Sequence, residues 1–103
     1  MMTARAKGSV QVDPALFGGF RRSLMRREGR GVDGGDLTPA RITAFRASQW
    51  STTVTVLIDF VSPSPFDEAT CRWSADMLVV LATPRAHRAA LRPVTWSVED
   101  LGR

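Results

Sequence analysis

Asp59 is the residue whose type and position best suit chemistry. It stands near the end of the apolar stretch Thr52–Val61, and Ser62, Ser64 and Asp67 follow it closely. A carboxylate with serine hydroxyls offers oxygen ligands of the kind Mg²⁺ takes. Open α/β sheets bind ligands at such strand ends. The plainer reading is structural: Asp59 caps the turn and Ser64 caps the next helix. The second chemical feature is a set of guanidinium groups, Arg21, Arg22, Arg26, Arg27 and Arg30. They could hold phosphate or nucleic acid, or form a solvated face.

No nucleophile and base are paired. Cys71 is the only cysteine, which excludes an internal disulfide and a cysteine-rich metal site. It reads as a structural thiol on a helix. His87 is also alone and reads as a solvated helix residue. Nothing ties it to Ser62 or Ser64 as a base. Asp67 and Glu68 are neighbours, not an acid/base pair across a cleft. Trp50, Trp73 and Trp96 are scattered and suit core packing or a partner surface. The expectation is a protein that is not an enzyme, with no cofactor unless Mg²⁺ sits at Asp59, Ser62 and Ser64.

The 103 residues suit one modest core, and 44% of them are hydrophobic. No apolar run is long enough for a membrane span, and no signal peptide is evident, so a cytoplasmic location is expected. Net charge is +4, unevenly spread. The first 30 residues hold seven bases against two acids, or +5, and the remainder is −1. This sets a basic N-terminal segment with a glycine-rich linker, 1–36, apart from an α/β domain, 37–103. Gly29, Gly31, Gly34 and Gly35 lack the following Gly-Lys-Ser/Thr of a phosphate-binding loop.

The elements follow from periodicity. Met1–Gly8 reads as a loose tail. Asp13-Pro14 starts a helical stretch in which Leu16, Phe17, Phe20 and Leu24 share a stripe, with a helix over Phe20–Glu28. Thr38-Pro39 has the composition of a helix cap and Ala40–Gln49 contains good helix formers, but Arg41–Phe45 also alternates as a strand, and the strand is the favoured reading. Thr52–Val61 is the clearest strand, with Val54, Val56, Ile58 and Phe60 on one face. Its later part is apolar on both faces apart from Asp59, which predicts a central strand with helices on both sides. A helix is expected over Pro65–Ala82, with Phe66, Ala69, Trp73, Met77, Val80 and Leu81 as its stripe. A short helix should follow Thr83-Pro84, then a strand over Val94–Val98 with Trp96 buried, and a tail over Asp100–Arg103. The fold class is therefore α/β, a small sheet with flanking helices.

The stretch from Ile42 to Ala82, "ITAFRASQWSTTVTVLIDFVSPSPFDEATCRWSADMLVVLA", is similar to the opening of a von Willebrand factor A-like domain in a bacterial family of uncharacterised proteins. "GGFRRSLMRREGRGVD" resembles the Arg/Gly-rich preamble of that family. Its metal loop, Asp-x-Ser-x-Ser, would fall on Asp59, Val61 and Pro63, where only Asp59 matches. Ser62 and Ser64 would restore two oxygens in a loop one residue longer. The resemblance implies a partial von Willebrand factor A-like unit that works through protein contacts.

A short sheet would leave an exposed edge and apolar surface for a partner to cover. The expected function is therefore a non-enzymatic protein-interaction or assembly module, with a protein partner or self-association. The alternative is a nucleic-acid or anion-binding module using Arg21, Arg22, Arg26, Arg27 and Arg30.

Overall fold

Small and long residues alternate along Met2–Gln11, and this segment is a ten-residue strand, β1. The expected loose tail at Met1–Gly8 is thus corrected from Met2 onward. Ala4, Ala6, Gly8 and Val10 face the core, while Lys7, Ser9 and Gln11 face solvent. The structure is a computed structural model that describes residues 2–32 and 37–102. Met1, Arg103 and the linker residues Asp33, Gly34, Gly35 and Asp36 lie outside the described residues.

After β1, Asp13 caps a 3-10 turn at Pro14–Leu16, and helix α1 covers Phe17–Met25. Phe20 and Leu24 are buried, as their spacing requires. Strand β2 is Thr38–Arg46, longer at both ends than the expected Arg41–Phe45. Strand β3 is Thr53–Ser62, with Val54, Val56, Ile58 and Phe60 fully buried on one face. Helix α2 is Glu68–Ala82. A 3-10 helix follows at Arg85–Ala90, and β4 is Ser97–Gly102. The last strand therefore starts three residues later than the expected Val94–Val98, sharing Ser97 and Val98 with it, and the expected tail from Asp100 belongs to it as far as Gly102.

Two further expectations are corrected. The helix starts at Glu68, not Pro65, because Asp67 is its cap: Asp67 Oδ1 accepts from the Ala69 N–H at 3.1 Å and Oδ2 from Thr70 Oγ1 at 2.8 Å. The buried stripe of α2 is also rotated. Cys71, Ser74, Ala75, Leu78, Val79 and Ala82 are buried, whereas Trp73 is 46% exposed. Small side chains let the helix approach the sheet closely, and an indole at that contact would hold it off.

The sheet order is β2-β3-β1-β4, and every neighbouring pair is antiparallel. β1 and β2 run the same way with β3 between them, and β3 and β4 do so with β1 between. Two interleaved strand–helix–strand units result, the split βαβ or ferredoxin-like arrangement. Both helices contribute to one core cluster with one face of the sheet. The expectation that β3 is covered on both sides is corrected: its second face is open, and its Leu57 and Val61 are only half-buried. One covered face is the ordinary condition of an antiparallel sheet.

Trp96 fastens β4 to the rest. Its Nε1–H donates to Asp76 Oδ1 at 2.6 Å, and its carbonyl accepts from Arg72 Nε at 3.3 Å. The indole lies on Gly8 of β1: a Cβ there would stand 2.8 Å from Trp96 Cε3 and 2.8 Å from Val94 Cγ1. The edge of β2 is partly closed by the segment after α1. Glu28 Oε1 accepts from the Ile42 N–H at 2.9 Å, and the Gly29 N–H donates to the Pro39 carbonyl. Pro39 itself is buried and sits beside an irregularity in the pairing with β3, where an edge strand tolerates proline.

Candidate functional site

Strand registers place the polar residues of the open face in rows. Arg41 lies opposite Asp59, Asp59 opposite Arg5, and Arg5 opposite Glu99. One row therefore crosses all four strands with charges alternating positive, negative, positive, negative. Its centre is a two-pronged ion pair: Arg5 Nε donates to Asp59 Oδ1 at 2.7 Å and Nη2 to Oδ2 at 3.3 Å. The hydrogen bond to Asp59 and then its charge raise the Arg5 guanidinium above its ordinary range, with Glu99 adding to this and burial opposing it. The next row holds Thr43, Leu57, Lys7 and Ser97. Arg5, Lys7, Leu57, Ser97 and Glu99 line a groove of about 330 Å³ along β1. Phe45, 50% exposed, lies toward the β2–β3 turn, and that turn carries Trp50, 80% exposed.

The oxygen set expected at the end of β3 is not brought to one point. Alternation puts Asp59 on the open face and Ser62, buried, on the helix face. Asp59 therefore neither caps the turn nor joins the serines, since its carboxylate is committed to Arg5. Ser62 Oγ lies 3.4 Å from Ser64 Oγ and accepts from the Ser64 N–H at 3.3 Å. Ser62, Ser64, Asp67, Thr70 and Ser74 line a cavity of about 250 Å³ with Phe66 and Trp73, and Asp59 is not among its lining residues. These residues do not fit a Mg²⁺ site through Asp59. Among the described residues, no three His, Cys, Asp or Glu side chains gather as metal ligands.

The guanidinium groups lie on the other side of the molecule. Arg21 and Arg22 are exposed on α1, while Arg26, Arg27 and Arg30 follow in the tightened chain after it. Cys71 is fully buried in α2, and burial first, with Asp67 and Glu68 second, pushes its thiol up to about 11. His87 is exposed beside a cavity of about 200 Å³ that it lines with Gln11, Asp13 and Thr83. No helix among the described residues is long and apolar enough to cross a membrane.

No family model, curated protein or solved structure matches this chain. The resemblance to a von Willebrand factor A-like domain gains no support from these comparisons or from the all-antiparallel sheet.

Sequence reasoning missed Arg5, Arg41 and Glu99 as members of one site. Alternation of small and polar residues along Met2–Gln11 was the available signal. The alanines and glycine of that face have low strand propensity and concealed it.

Proposed function

We propose that this chain is a non-enzymatic assembly module that pairs with a second copy of itself through the open face of the sheet. The observation that carries this is the charge row Arg41, Asp59, Arg5, Glu99. Stacked sheets align their strands to within about 30° and lie about 10 Å apart. A two-fold axis parallel to the strands, between β1 and β3, sets Arg41 against Glu99 of the second copy. The same axis sets Asp59 against Arg5, and symmetry repeats both contacts. Lys7 then meets Leu57, which its aliphatic stem can cover.

The face is large enough for such a contact. Four strands about 4.8 Å apart, with roughly six to ten residues of about 3.3 Å each, span on the order of 400–600 Å². Counted on both copies, this approaches the lower range of specific interfaces, roughly 1,000 Å². A polyanion is a poorer occupant, because Asp59 and Glu99 interrupt the basic residues of this face. Nothing in the pairing draws on a metal ion at Asp59.

Sedimentation of two single-charge reversals tests the pairing. Arg41→Glu alone and Glu99→Arg alone each place like charges together across the axis. Each is expected to weaken self-association by at least about tenfold. Mixing the two variants makes every facing pair complementary again, so a heterodimer should form. A wild-type chain that stays monomeric at low ionic strength would sink the proposal. So would two monomeric variants that fail to associate when mixed.

A further inference from the structure

The chain following α1 builds a cleft on the helix layer, away from the open sheet face. Consecutive turns tighten it: the Arg27 N–H donates to the Leu24 carbonyl at 3.0 Å, Glu28 to Met25 at 3.2 Å, and Arg30 to Arg27 at 3.1 Å. Gly29 then takes φ +73°, a left-handed conformation that glycine adopts without a side-chain clash. Its N–H is anchored on the Pro39 carbonyl. Arg30 is thereby turned back beside Arg26 and Arg27. With Ser23 and with Leu81 of α2, these three arginines line a cleft of about 350 Å³.

The arrangement leaves positive charge concentrated there. Glu28 is the nearest acid in sequence, but its carboxylate is drawn off to the Ile42 N–H on the sheet edge at 2.9 Å. Among the described residues, Arg26, Arg27 and Arg30 meet no carboxylate within ion-pair distance.

We infer that this cleft is a binding site for a phosphoryl anion of diphosphate size. Guanidinium groups match phosphate oxygens with paired N–H donors, and the Ser23 hydroxyl adds a further donor. The cleft is concave, walled by Leu81, and lined by three of the five arginines in the run. That shape suits a compact diphosphate, free or at the end of a nucleotide, better than an extended polynucleotide needing Arg21 and Arg22 as well.

Calorimetric titration of the full chain with pyrophosphate, ADP and a single-stranded oligouridylate tests the site. Pyrophosphate and ADP should bind, and amide shifts in NMR spectra should centre on Ser23, Arg26, Arg27 and Arg30. The pair Arg26→Ala with Arg30→Ala should weaken pyrophosphate binding by at least about tenfold, and Arg21→Ala with Arg22→Ala by about twofold or less. Circular dichroism verifies that both pairs remain folded, and neither should alter self-association. Absence of pyrophosphate binding, or equal losses in the two pairs, overturns the inference. So does tighter oligouridylate binding that depends on Arg21 and Arg22.

Discussion

At Gly8 the sheet meets the Trp96 ring with no space for a side chain. Gly8→Ala must move Trp96 or Val94, and overpacking of this kind costs about 1–3 kcal/mol. Thermal melting should fall by at least several degrees, since about 1 kcal/mol corresponds to roughly 4–8 °C in a chain of this size. Cys71 gives a second prediction with a definite sign. Its folded-state thiol is pushed from 9.0 up to about 11, so the folded chain keeps a proton that the unfolded chain releases. Its contribution is fully present below about pH 9 and is lost as pH rises toward 11. Denaturant melts at rising pH should show a loss of stability that Cys71→Ala lacks. An identical slope in both proteins would show that Cys71 is not its source.

For the elements, the start of α2 separates two serines and an aspartate that are hard to rank by sequence. Ser64-Pro65 has the composition of a helix start, yet Asp67 accepts both the Ala69 N–H and the Thr70 hydroxyl. Asp67→Ala should cost about 1 kcal/mol, the usual worth of such a cap. Ser64→Ala should stay within about 0.5 kcal/mol of wild type, as exposed substitutions usually do. Urea unfolding of the two variants distinguishes them, and the reverse order would place the cap at Ser64. The strand Thr53–Ser62 was legible because β-branched residues alternate there without glycine or proline. β1 was not, because its inward positions are Ala4, Ala6 and Gly8. Gly8 is small for a reason that lies elsewhere in the chain: Trp96 occupies the space above it.

Across the whole molecule, the basic first segment contains one of the two central strands. β1 pairs with β3 along ten residues and with β4 on its other side. Deleting residues 2–11 should therefore abolish cooperative unfolding, measured by circular dichroism against temperature. A truncated chain that still melts sharply would show that β2, β3 and the helices suffice. The open face belongs to this scale too, since its charge row needs β1, β2, β3 and β4 in register.

The sequence by itself determined the uneven charge, the lone thiol, the alternation of β3 and an α/β composition, because these depend on residue type and local spacing. It also placed Phe20 and Leu24 on a buried helical stripe, and Trp96 in the core. Tertiary structure alone decided that Asp59 faces Arg5, because the partner follows register, whereas the placing of Asp59 and Ser62 on opposite faces follows from strand parity. It likewise decided that Arg5, Arg41 and Glu99, 36 to 94 residues apart in the chain, share one row with Asp59. Pairing between distant strands brings such residues together, and no local pattern records which strands will be neighbours.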